Sequence, residues 1–109
     1  MQIRRLCILI ADRDIDAADA LGALCERLGH EVDFAYDGDA AREAARWLKP
    51  DVVLAAGALA QELAEDLALA GLELVDQAAQ RLQMGGLREV LVESRGAQAL
   101  ALFLARGAR

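Results

Sequence analysis

Residues 5–14 read RLCILIADRD, and this stretch is the starting point for the fold. After Arg5 the run stays apolar to Ala11 and includes β-branched residues, which is typical of a strand buried on both faces of a parallel sheet. The run ends abruptly in Asp12-Arg13-Asp14. We therefore expect a buried first strand with charged side chains at its carboxyl end.

Three further elements follow in regular alternation. Apolar residues recur at helical spacing over residues 17–28, with Asp14 or Asp16 as the amino-terminal cap and Gly29 as the stop signal. Residues 31–36 alternate as a strand does, and residues 39–48 have one apolar helical face before Pro50.

A third short buried strand is predicted at residues 51–54. The order strand, helix, strand, helix, strand predicts parallel strands joined by right-handed crossovers in an α/β sheet.

The second half of the chain has a different pattern. Residues 57–84 show a long helical spacing that Gly71 either bends or divides into a loop and a helix. Gly85-Gly86 breaks this segment, residues 89–92 (EVLV) predict a fourth strand, and residues 97–105 predict a last helix. That helix would be apolar almost all round, which predicts that another surface covers it.

Composition limits the classes of function. A chain of 109 residues fits one domain, which we take to span residues 1–109. The net charge of -6, with Lys49 as the only lysine, argues against nucleic-acid binding. No window is long and apolar enough for a membrane span, and no signal peptide is evident. Cys7 and Cys25 lie in apolar patterns and predict buried thiols in a reducing compartment, so we expect a cytoplasmic protein.

The segments ILIADRDID (residues 8–16), LGHEVDFAYDGDAAREA (residues 28–44) and KPDVVL (residues 49–54) together resemble the first half of a bacterial response-regulator receiver domain. The resemblance is close over residues 5–56. Farther on, GLELVDQAAQRL resembles the family's third helix, LREVLVES its fourth strand and ALFLARGA the helix after it. The resemblance implies a flavodoxin-like, doubly wound parallel sheet with the site at the carboxyl ends of the strands. For this chain we expect the order 2-1-3-4, with the fifth strand and last helix missing or replaced.

Receivers in phosphorelay, or two-component, signal transduction accept a phosphoryl group on an aspartate after strand three. An acidic pair binds Mg²⁺, and a Thr or Ser and a Lys contact the phosphoryl oxygens. In this chain Asp12 matches the first acid, but Arg13 stands at the second and Ala56 at the acceptor position. Ser94 matches the hydroxyl position, where the alignment also permits Glu93, and no lysine follows Lys49. The resemblance thus implies a degenerate pseudo-receiver pocket with no catalytic residue, metal or cofactor.

The sequence therefore predicts a non-enzymatic, phosphorylation-independent signalling module that works by protein-protein association, as a homodimer or with a signalling protein. One alternative is a receiver phosphorylated at a non-standard acid such as Asp12 or Asp14. Another is a sensor of a small ligand or anion at the vacated pocket beside Arg13.

Surface roles are predicted for several further residues. If the fourth strand forms a sheet edge, it and the last helix would make the dimer interface. The segment after Ala56 is longer than in the family, and we expect it to cover the pocket or to build an interface with an acidic patch at Glu62, Glu65 and Asp66. His30 is expected in an exposed turn, Asp12 in contact with Arg13, and Trp47 against the inner edge of the second helix. The predicted interface residues are Leu91, Leu100, Phe103 and Leu104.

Overall fold

The computed structural model describes residues 5–69, 71–74 and 100–105. In chain order the elements are β1 (Cys7–Ala11), α1 (Ile15–Arg27), β2 (Glu31–Ala35), α2 (Gly38–Leu48), β3 (Val52–Ala56), α3 (Ala58–Leu69), β4 (Leu72–Leu74) and β5 (Leu100–Ala105). The first five elements lie where the sequence predicts them, to within two residues.

The first three strands are parallel and belong to one open sheet. β1 pairs with β2 on one side and with β3 on the other, so that Ala11 lies opposite both Ala35 and Ala55. Three helices pack on this sheet, which makes the described part of the chain a small α/β protein consistent with a flavodoxin-like fold. The predicted α/β class and the parallel strands are confirmed.

The apolar run of β1 is explained by helices on both faces of the sheet. Ile8 and Ile10 pack with α1 residues such as Leu21, while Leu9 and Ala11 pack with α2 and α3 on the other face. Consecutive strand residues point to opposite faces, so a strand covered twice needs apolar residues at every position. All of β3 is buried for the same reason.

The helices begin and end at the signals in the sequence. Asp14 caps α1, because its side chain accepts a hydrogen bond from the Ala17 backbone N–H at 3.2 Å. Asp37 caps α2 in the same way. α2 ends at Leu48, and its cap residue Lys49 has left-handed backbone angles (φ 49°, ψ 58°) directly before Pro50.

The long helix predicted over residues 57–84 is wrong as one element. α3 ends at Leu69, Gly71 has a positive φ of 94°, and the chain continues as β4. Glycine adopts this backbone conformation without the steric cost of a Cβ, which allows the sharp change of direction. The part of the predicted third helix at residues 72–74 is thus a strand, and the remainder of that prediction lies outside the described residues.

The prediction of a last helix over residues 97–105 is also wrong, because residues 100–105 form β5. This strand is antiparallel to β3 on one side and to β4 on the other, which gives the sheet order β2-β1-β3-β5-β4. An apolar run with no polar face is equally suited to a buried strand and a buried helix, and periodicity cannot separate them. The sheet beside β3 is therefore antiparallel instead of parallel.

This arrangement changes the predicted dimer interface. Phe103 and Leu104 have strand partners on both sides, with Phe103 opposite Val53 and Leu74, and Leu100 lies opposite Ala56 of β3. Residues 100–105 are therefore a strand and not the apolar helix that motivated the interface. Leu91 and the predicted strand at residues 89–92 lie outside the described residues.

Candidate functional site

The carboxyl ends of the three parallel strands bring the predicted pocket residues to one edge of the sheet. β1 ends at Ala11 and is followed by Asp12 and Arg13, and β3 ends at Ala56. Ligands of open α/β sheets bind at this edge, where strand order reverses about the first strand. This edge is therefore the candidate site.

Asp12 shapes the loop between β1 and α1. It is 7% exposed, its backbone N–H donates to the Ala35 carbonyl at 3.0 Å, and its Oδ1 accepts from the Asp14 N–H at 2.9 Å. A short Asp side chain that accepts a hydrogen bond two residues ahead closes a tight Asx-type turn. Asp12 thus positions Asp14 to cap α1, and the carboxylates of both residues hold the backbone in place.

Arg13 reaches across to the third helix. Its Nη2 lies 3.0 Å from Oε1 of Glu62, and both side chains are partly exposed. The guanidinium of Arg13 is thus paired with an acid 49 residues away in the chain. Arg13 was expected beside Asp12, and Glu62 was not expected as its partner.

Arg42 on α2 extends the same ion-pair network. Its Nε lies 2.6 Å from Asp66 Oδ2, its Nη1 2.9 Å from Asp39 Oδ1, and its Nη2 3.4 Å from Glu62 Oε2. The hydrogen bond to Asp66 is the main cause of a raised Arg42 pKa, so this guanidinium remains charged. The Glu62 carboxylate therefore bridges two guanidinium groups and links the β1–α1 loop to α2 and α3.

Gly38 makes room for this bridge. It is the first residue of α2, it is buried, and a Cβ there would collide with the carboxylate of Glu62. The carboxylate also lies near the helix amino terminus, where the unpaired N–H groups favour negative charge. A side chain at position 38 would therefore displace the Glu62 carboxylate from this bridge.

The predicted acidic patch is partly an ion-pair cluster. Glu62 and Asp66 are one helical turn apart on α3 and both contact arginine, while Glu65 is exposed. Arg42 was missed by the sequence analysis. The available signal was the i, i+4 pair of acids on α3 together with an arginine on the neighbouring helix.

Ala56 is the residue that the sequence resemblance aligned with the acceptor position of receivers. It is the last residue of β3 and is 7% exposed. A methyl group has no lone pair with which to attack phosphorus. Ser94, the predicted hydroxyl, lies outside the described residues, and within the described part of the chain no three His, Cys, Asp or Glu side chains are grouped to hold a metal.

Two side chains differ from their predicted surroundings. His30 is 4% exposed instead of lying in an exposed turn, and its Nδ1 accepts a hydrogen bond from the Leu6 backbone N–H at 3.1 Å. Trp47 is 77% exposed instead of packing on the inner edge of α2. The helix buries its alanine face, Ala41 and Ala45, and that stripe excludes position 47.

None of the described helices is long and apolar enough to cross a membrane. No model of a known protein family matches the chain, and no curated protein or solved structure matches it.

Proposed function

We propose that this chain is a receiver-like domain that signals by binding other proteins and does not accept a phosphoryl group. The observation that carries the proposal is Ala56 at the carboxyl end of β3, at the same sheet edge as the Arg13–Glu62–Arg42 network. The fold proposed with it is the doubly wound, flavodoxin-like arrangement of the receiver type, altered beyond β3. We place such a module in a cytoplasmic, bacterial-type signalling pathway.

The chemistry of phosphoryl transfer supports the proposal. Transfer requires a nucleophile in line with the phosphorus atom and cations that neutralise the phosphoryl oxygens. Ala56 supplies no nucleophile. Arg13 brings a fixed positive charge to the position where a carboxylate would bind Mg²⁺, and that charge is already paired with Glu62.

The remaining acids at this edge are poor substitutes for the missing acceptor. Asp12 is buried and accepts the Asp14 N–H, and Asp14 accepts the Ala17 N–H as the cap of α1. Hydrogen bonds to a carboxylate stabilise its charge and lower its nucleophilicity. Phosphorylation at either acid would also break the turn that starts α1.

The proposal is tested by incubating the chain with a small phosphodonor and Mg²⁺ and measuring its intact mass. We expect no mass gain, in the wild type or in the variants Asp12→Asn and Asp14→Asn. A stoichiometric gain of one phosphoryl group in the wild type would overturn the proposal. Loss of that gain in one of the two variants would identify the acceptor.

Association is the activity that remains for such a module. We propose self-association as its simplest form, as the sequence analysis predicts. The ion-pair network supports a binding role, because it fixes the β1–α1 loop, α2 and α3 as one surface without a ligand. A preformed surface loses less conformational entropy on binding.

A further inference from the structure

One side of α2 carries a stripe that neither the core nor the ion-pair network explains. Asp39, Glu43 and Trp47 follow one another at intervals of four residues, so they lie along one side of the helix. The alanines at positions 40 and 44 run beside this stripe. A row of large side chains beside a row of small ones forms a groove.

The structure shows this groove as an open depression of about 480 Å³. It is lined by Asp37, Asp39, Ala40, Glu43, Ala44 and Trp47. The Trp47 side chain is 77% exposed, which leaves most of a large aromatic surface in water. A partner that covered this indole would bury a large apolar area.

The charges around the groove select the chemistry of that partner. Asp37 and Glu43 are exposed carboxylates, and Asp39, although paired with Arg42, is 98% exposed on its side chain. Arg46 is also exposed and lies three residues after Glu43 on the helix, but it is not among the residues that line the depression. The lining side chains therefore present negative charge beside an aromatic face.

Arginine is the side chain that matches both features. Its guanidinium stacks on an indole face and donates to carboxylates in one plane. A phosphate-bearing partner such as nucleic acid would be repelled by the same carboxylates. A second copy of this chain, with a net charge of -6, is a poorer match than a basic segment.

We propose that the α2 groove, lined by Asp37, Asp39, Glu43 and Trp47, docks an arginine-bearing segment of a partner protein. The guanidinium lies against Trp47 and pairs with Glu43, and the short alanines leave space for the arginine stem. This inference rests on the proposal that the chain works by protein association, and it names the chemistry of one partner.

The test uses the single tryptophan of the chain, Trp47, as its reporter. The full chain is titrated with a short peptide of arginines spaced by Gly and Ser, followed by Trp fluorescence and in parallel by calorimetry. We expect a saturable change in emission and weaker binding of the matched lysine peptide, because ammonium does not stack as guanidinium does. No change in Trp47 emission, or equal affinity for the two peptides, would overturn the proposal that the groove docks arginine.

Charge variants separate the groove from general attraction to an acidic chain. Glu43→Gln is expected to lower the affinity for the arginine peptide about two- to five-fold, which is the range for the loss of one exposed ion pair. Glu26→Gln removes the same charge from an exposed position on α1, on the opposite face of the sheet, and should leave the affinity unchanged. Equal weakening by both variants would contradict the proposal.

The outcomes of the two proposals are distinguishable. If the peptide does not bind and no phosphoryl group is gained, only the docking of arginine in the groove is overturned. If a phosphoryl group is gained, the proposed function is overturned, whether or not the peptide binds. A change in Trp47 emission with protein concentration in the absence of peptide would assign the groove to a second copy and overturn the basic-partner inference.

Discussion

His30 lies at the amino-terminal end of the parallel strands, at the edge opposite the candidate site. Its ring Nδ1 accepts a hydrogen bond from the Leu6 backbone N–H, and its backbone N–H donates to the Cys25 carbonyl at 3.2 Å. The Glu31 backbone N–H donates to the Leu6 carbonyl at 2.9 Å. Because Nδ1 accepts, the ring proton of the neutral form is on Nε2. Burial lowers the His30 pKa below its ordinary value, since the buried ring resists taking a charge.

We predict that stability falls in mild acid because of His30. With the folded pKa lowered, the unfolded chain binds more protons as pH drops below about 6.5, so the free energy of unfolding decreases until pH passes the folded pKa. Protonation of Nδ1 would also remove the acceptor for Leu6. Urea unfolding between about pH 8 and pH 5 measures the slope.

The matched control is His30→Asn, whose Oδ1 can accept the Leu6 N–H but does not titrate. The acid slope should be smaller in this variant than in the wild type. Equal slopes would mean that carboxylates alone determine the acid sensitivity. His30→Ala, which leaves the Leu6 N–H without its acceptor, should cost about 1–3 kcal/mol at neutral pH.

At the scale of the elements, α3 connects the core to the candidate site. Leu59, Leu63 and Leu67 recur every four residues and are fully or almost fully buried against the sheet. Glu62 and Asp66 immediately precede two of these leucines, so their stripe runs beside the apolar one and faces Arg13 and Arg42. The packing of α3 thereby sets the position of the carboxylate bridge.

We predict that Leu63→Ala lowers the free energy of unfolding by about 2–5 kcal/mol, since it leaves a cavity under α3. Leu69→Ala in the same helix is the control, because Leu69 is 82% exposed and its truncation should change stability by less than about 0.5 kcal/mol. Chemical denaturation measures both. Similar losses in the two variants would contradict the packing described for α3.

At the scale of the whole molecule, the sequence predicts the first half of the fold better than the second. The elements over residues 7–56 follow from the apolar run of a strand buried on both faces, from two helix caps and from Pro50, all of which are local signals. β5 could not be recognised from its sequence, because LALFLA is compatible with either a buried strand or a buried helix. Its identity depends on pairing with β3, a long-range contact.

In the candidate site, too, the local features were predictable from the sequence and the long-range contacts were not. Asp14 as a helix cap was predictable, since capping is local. The Arg13–Glu62 pair spans 49 residues and requires the tertiary packing of α3. The burial of His30 likewise depends on a contact with Leu6, which lies 24 residues away in the chain.

The proposed self-association predicts a dimer in solution. Light scattering over a concentration series should give twice the chain mass of 11.7 kDa at the upper concentrations and approach one chain mass on dilution. Charged substitutions at Leu100 or Phe103 are unsuitable tests, because these residues lie in the paired strand β5 and the substitutions would disturb the sheet. A monomer at every concentration would remove self-association from the proposed function.

The order of the strands in the sheet has a consequence for synthesis on the ribosome. β4 is made before β5, yet among the described strands it pairs only with β5, which lies between it and β3. Until residues 100–105 have left the ribosome, the apolar VVLAA edge of β3 lacks its neighbour. Unpaired apolar edges promote aggregation. The β3 edge is therefore open to aggregation in the interval between synthesis of β3 and release of β5.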